Sequence, residues 1–188
     1  MIIACLGWGS LIWDPRELPI HRQWFDDGPF IKIEFARKSD DGRSTLVIVN
    51  DDASTPVRTL WAAMDATDID SAKEALRRRE GMPRQAGKEP IGQWIKTQQS
   101  PPADIPMLSY WAKARGVDAV IWTALPPKFN DKGKPTIIQV LKYLRGLEGA
   151  ERDHAERYIR LAPRQIDTAY RRKIEADLGW TSLDNWPR

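Results

Sequence analysis

Four strand-patterned segments precede the first helical one, and this order limits the fold more than any other feature of the chain. Ile2–Leu6 is a continuous apolar run stopped by Gly7-Trp8-Gly9-Ser10, the pattern of a buried strand entering a glycine turn. In Phe30–Lys38, strand alternation sets Phe30, Lys32, Glu34 and Ala36 opposite Ile31, Ile33, Phe35 and Arg37, which predicts a half-buried strand with one apolar face. Asp40-Asp41-Gly42 reads as a hairpin connection into the β-branched run Ser44–Asn50. Thr59–Asp65 is a fourth strand candidate. This run of strands is incompatible with the regular βαβα alternation of a doubly wound fold.

The pattern changes at Thr67. Asp68 and Asp70 suit a helix start, Ser71–Glu80 is helical in composition, Gly81 suits the C′ position and Pro83 prevents continuation. Residues 83–106 contain Gly87, Pro90, Gly92, Pro101, Pro102 and Pro106, so they read as a long lid or binding loop, pinned to the body by Trp94 and Ile95. A short helix is expected over 107–115 and a fifth strand over 117–125. Three more helices are expected, over 136–147, 150–161 and 166–178. The expected fold is α+β: a single domain over 1–188, with a small mixed β-barrel or sheet surrounded by helices.

Composition narrows the function classes. A chain of 188 residues, 41% apolar, can bury one core without staples. A single cysteine, Cys5, allows no intrachain disulfide, no stretch approaches the roughly 18 apolar residues of a membrane span, and the N-terminus lacks a basic leader pattern. The expected location is cytoplasmic, with no membrane partner. Nine tryptophans and a pI near 9.0 would suit a nucleic-acid binder. The net charge is only +3, however, from 29 basic and 26 acidic residues, so no strongly basic surface is forced.

Two features could carry chemistry. In Gly7-Trp8-Gly9-Ser10, the glycines could let successive backbone N–H groups converge into a nest for a carboxylate or an oxyanion, with the Ser10 hydroxyl adding a donor; the alternative is an ordinary tight turn. Glu80 falls at a predicted helix C-terminus, where the helix dipole disfavours a carboxylate, and four residues after Leu76, toward the buried side. Both effects would suit a general acid/base. The alternative is a solvated helix end neutralised by Arg77, Arg78 and Arg79. Cys5 reads as a buried, inert thiol. His21 and His154 are isolated, Asp51-Asp52 reads as a turn, and there is no phosphate-loop motif, so neither a metal nor a cofactor is expected. Arg152, Arg157, Arg160, Arg164, Arg171, Arg172 and Lys173 alternate with acids and read as a mixed, solvated face.

The combination is more specific than its parts. Leu6-Gly7-Trp8-Gly9-Ser10-Leu11-Ile12-Trp13 resembles the glycine-rich YGSL-type loop of the γ-glutamyl cyclotransferase-like superfamily, closest to its cation-transport-regulator-like (ChaC-like) branch. In the same order, Phe35–Ser39 with Arg43 is similar to that family's second-strand region, and Leu60–Met64 to its valine-tryptophan-glycine-valine strand. Leu76–Gly81 resembles the helix that ends in its catalytic glutamate. Trp8 stands where the family usually has tyrosine, and Ala62 where it has glycine. The resemblance covers residues 2–81 well and the rest loosely. It implies a mixed β-barrel fold and cofactor-free conversion of a small-molecule γ-glutamyl amine or peptide to 5-oxoproline. It further implies Glu80 as acid/base and Gly7, Trp8, Gly9, Ser10 and Leu11 as the substrate loop. Two other readings stand beside it: a non-catalytic small-ligand-binding protein on the same fold, and a single-stranded nucleic-acid binder with tryptophan platforms.

Overall fold

A computed structural model describes residues 1–21, 23–83, 90–97, 100–129 and 133–183. The described residues form eight strands and five helices: β1 Ile3–Gly7, β2 Phe30–Ile31, β3 Ile33–Lys38, β4 Ser44–Ile48, β5 Val57–Arg58, β6 Leu60–Ala63, α1 Ile69–Arg79, β7 Ile91–Ile95, α2 Leu108–Ala114, β8 Ala119–Thr123, α3 Ile137–Arg145, α4 Gly149–Leu161 and α5 Ala169–Leu178. The chain divides into two compact units. One comprises Met1–Gly7, Asp14–Ile31 and Arg58–Leu125, and the other Trp8–Trp13, Lys32–Val57 and Pro126–Arg188.

The first unit is built on a mixed sheet in the order β6-β1-β8-β7. β1 pairs antiparallel with β6 and parallel with β8, with Cys5 level with both Ala62 and Ile121. All five residues of β1 are buried, as expected of a central strand covered on both faces. The sheet does not close into the expected barrel. The outer edge of β6 is occupied by irregular residues upstream, around Ile20 and Phe25: His21 N–H donates to the Ala63 carbonyl, and Phe25 and Trp61 exchange backbone hydrogen bonds. That edge is therefore not open to a closing strand. Phe25 stacks on Trp61 (4.7 Å between centroids), and Trp111 of α2 meets the same indole edge-on at 5.4 Å. β7 lies within the segment expected to be a loop. Gly92 pairs with Trp122, and a Cβ at residue 92 would run into the Trp122 indole, so only glycine lets this strand dock. Of the rest of that segment, residues 84–89 and 98–99 lie outside the described residues.

The second unit is built on the antiparallel hairpin β3–β4, which pairs Ile33 with Ile48 and Phe35 with Leu46 and carries a bulge between Phe35 and Arg37. Its turn is the one expected at 40–42: Gly42 has φ +84° and its N–H donates to the Ser39 carbonyl. α4 packs on β4, α5 on β3, and α3 on α5. β3 departs from the half-buried expectation, because both its faces are covered. Glu34 is only 2% exposed; its carboxylate accepts from Thr168 Oγ1, the Phe35 N–H (3.1 Å) and the Tyr170 N–H (3.2 Å) at the start of α5. Burial pushes the Glu34 carboxyl up from its ordinary value, and the three donors offset part of that rise.

The expected solvated arginine face needs a similar correction at Arg171, which is 1% exposed. Its guanidinium donates to the carbonyls of Ile159, Ala162, Pro163 and Ile166 and pairs with Glu175 at 3.1 Å. Pro163 ends α4 and leaves its last carbonyls without helical partners, and the Arg171 fork supplies the missing donors. Trp180 is buried under the Arg152 guanidinium (5.2 Å to the ring), in keeping with a tail-pinning role; Trp186 lies outside the described residues.

Candidate active site

Glu80 is placed by α1. The Asp68 carboxylate accepts the Ser71 N–H at 2.8 Å and starts the helix. Ala72, Leu76 and Arg79 share its buried face, at spacings of four and three. The helix stops in a Schellman motif: Gly81, at φ +65°, donates to the Arg78 carbonyl, and Met82 donates to the Arg77 carbonyl, each at 3.0 Å. Glu80 is thus the C-cap residue, turned partly inward, with its side chain 19% exposed.

The three arginines before it do not act alike. Arg77 and Arg78 pair with Glu74. Arg79 is the most buried of the three, with its side chain 5% exposed; Nη1 lies 2.9 Å from Glu80 Oε1, while Nε and Nη2 donate to the Asp14 carbonyl. The expected neutralised helix end is therefore realised by one buried guanidinium that holds the carboxylate in place. Arg79 was legible as a site residue: it sits seven positions after Ala72 and three after Leu76, on the apolar face.

Cys5 reports where the Glu80 carboxylate lies. Burial pushes this thiol up to about 12, the Glu80 charge adds to the rise and Arg79 opposes it. The Glu80 and Arg79 charges therefore both act on Cys5, two residues before Gly7 on β1. The thiol itself stays protonated and buried at neutral pH, as its sequence position suggested, and is no nucleophile.

The glycine loop changes units at the Gly7–Trp8 bond. Residues 7–13 all have negative φ, so the glycines there are not used for left-handed backbone. The loop turns at Gly9, closed by the Ile12 N–H on the Gly9 carbonyl at 3.1 Å. Glycine is needed at residue 9 for space: a Cβ there would lie 2.6 Å from Tyr158 Oη. That hydroxyl accepts the Leu46 N–H at 3.3 Å, and the Tyr158 ring packs edge-on to Trp13 at 5.4 Å. Trp8 is 5% exposed and spends its only side-chain donor on the Leu46 carbonyl, 3.2 Å away. Leu11 is buried and Ser10 half-buried. The indole of Trp8 is thus an anchor for the loop, a role the sequence did not show.

Among the described residues, no group of three or more His, Cys, Asp or Glu is arranged to hold a metal ion. No described helix is long and apolar enough to cross a membrane. Of the described tryptophans, Trp13, Trp24 and Trp111 are half-buried and the others are buried. No family model matches the chain, and neither a curated protein nor a solved structure is significantly similar to it.

Proposed function

We propose that the chain is a γ-glutamyl cyclotransferase-like enzyme, as its loop and its Glu80-Gly81 helix end suggest by resemblance. The observation that carries the reading is the inward-turned Glu80 carboxylate, held by Arg79 beside β1. The α-amine of a γ-glutamyl amide attacks the γ-carbonyl carbon of the same molecule. The new carbon–nitrogen bond closes 5-oxoproline, and the old amide bond breaks to release the amine. Glu80 takes the α-ammonium proton and returns a proton to the leaving nitrogen. The attack is intramolecular, so proximity is supplied by the substrate and no enzyme nucleophile is needed, which accords with an inert Cys5. By the same resemblance, the Gly7–Leu11 backbone receives the α-carboxylate or the oxyanion.

The experiment is incubation with a panel of γ-glutamyl peptides and amines, with 5-oxoproline as the readout. Glu80→Gln keeps the size of the side chain and an acceptor for Arg79. It is expected to lose about 10²–10⁴-fold in kcat, the range for a removed general acid/base, with an unchanged circular dichroism spectrum. Equal turnover would remove Glu80 from the mechanism. One observation favours the second reading, a non-catalytic binder: where the family has a tyrosine hydroxyl, this chain has an indole committed to Leu46. Binding of γ-glutamyl compounds without any turnover would select it.

A further inference from the structure

The C-terminal end of β8 carries a polar atom with no protein role. Thr123 Oγ1 is buried and finds no hydrogen-bond partner among the described residues. Leaving a hydroxyl dry and unpaired costs stability, whereas valine has the same shape without that cost. The position of Thr123 indicates what satisfies the hydroxyl. Strand alternation puts Ala119, Ile121 and Thr123 on one face of β8. The parallel register pairs Cys5 with Ile121, so Cys5 shares that face, and continuing it sets Gly7 level with Thr123. α1 packs on β8, and Cys5 is the residue whose thiol senses the Glu80 carboxylate. The chain leaves β6 beside Ile3, where Met64 N–H donates to the Ile3 carbonyl, and re-enters the sheet at Ile91, level with Thr123, so α1 runs toward the end of the sheet that carries Thr123 and Gly7, with Glu80 at its C-terminus and all three within one compact unit.

We infer that Thr123 is a substrate-binding residue whose hydroxyl donates to a carboxylate oxygen of an α-amino-acid head group while Glu80 receives the neighbouring ammonium. The inference rests on the proposed reading for its reaction, but the ligand chemistry comes from the residues themselves: an acid for the ammonium and a hydroxyl donor for the carboxylate. It adds a site residue from the half of the chain that the family resemblance hardly covers. A ligand with the carboxylate but no ammonium, such as 5-oxoproline, is expected to bind more weakly than L-glutamate, which favours product release.

The test uses the full chain, wild type against Thr123→Val and Thr123→Ser, with two readouts: turnover of γ-glutamylalanine, and L-glutamate binding by calorimetry. Thr123→Val is expected to raise KM and the L-glutamate Kd about tenfold or more, the effect of a lost hydrogen bond to a charged group. The same variant should melt at or above the wild-type temperature, since it removes an unpaired hydroxyl, and Thr123→Ser should retain binding. A merely structural threonine would show the reverse: lower melting temperature and unchanged Kd. If wild type turns over γ-glutamylalanine and Thr123→Val leaves KM and Kd unchanged, the role of Thr123 is overturned and the proposed function stands. If wild type binds L-glutamate through Thr123 but forms no 5-oxoproline from any γ-glutamyl compound, the function fails and the site survives. Absence of both binding and turnover in the wild type overturns both.

Discussion

Replacing Gly9 with alanine tests whether the glycine loop is shaped by a steric contact or by backbone freedom. The added Cβ would lie 2.6 Å from Tyr158 Oη, against 3.4 Å or more in an ordinary contact, so the hydroxyl must retreat by about 0.8 Å. Tyr158 cannot yield freely. Its ring is packed edge-on by Trp13 and Phe35, and its hydroxyl accepts the Leu46 N–H. Overpacking of this kind costs about 1–3 kcal/mol, and loss of the Leu46 hydrogen bond about 1 kcal/mol more, so Gly9→Ala is expected to destabilise by about 2–4 kcal/mol. Tyr158→Phe removes the clashing oxygen, and the next atom, Cζ, is 3.6 Å from where the alanine Cβ would sit, an ordinary contact. Because residue 9 has negative φ, alanine then fits without strain, and it also restricts the unfolded chain. In the Tyr158→Phe background the cost of Gly9→Ala should therefore fall to about zero, with a coupling energy of about 2 kcal/mol or more. The assay is a double-mutant cycle by urea denaturation followed by circular dichroism. Additivity within about 0.5 kcal/mol would refute the steric argument and return the glycine to a backbone role.

Two further outcomes follow from buried ionisable groups. The Glu34 carboxyl is raised by burial, so the folded state favours its protonated form; the stability this contributes is complete below the ordinary value of 4.5 and is lost as pH rises through the folded value. The denaturation midpoint should accordingly fall over that interval in the wild type and lose this component in Glu34→Gln, and an unchanged pH profile in the variant would show that the three donors cancel the effect of burial. Cys5, pushed up to about 12, should resist iodoacetamide at pH 8 in the native protein and react stoichiometrically in denaturant, as read by mass spectrometry. Rapid native labelling would place the thiol outside the core.

Much of the architecture was written locally. The apolar run of β1, the hairpin at 40–42, the Asp68 start and Gly81 stop of α1, and the three C-terminal helices all lie within a few residues of their expected positions, because period, caps and turn glycines are short-range signals. The stop at Gly81 also located Glu80, since a Schellman motif sets which residue is the C-cap. The inward turn of Arg79 followed the apolar spacing of α1 and could have been read from it.

What only the tertiary structure decided depends on partners distant in sequence. β7 exists because the edge of β8 and the Trp122 indole accept a glycine-bearing strand, which local proline and glycine content concealed. The barrel stays open because an irregular segment some forty residues upstream occupies the edge of β6, and edge occupancy leaves no periodic trace. Glu34 and Arg171 look like surface charges in a linear reading, but the interior supplies each with hydrogen-bond partners that make burial tolerable. Trp8 takes its role from the Leu46 carbonyl, thirty-eight residues away. Thr123 closes a strand like any other threonine in the sequence; only the register of β1 against β8 brings its unpaired hydroxyl to the end of the sheet where Glu80 lies.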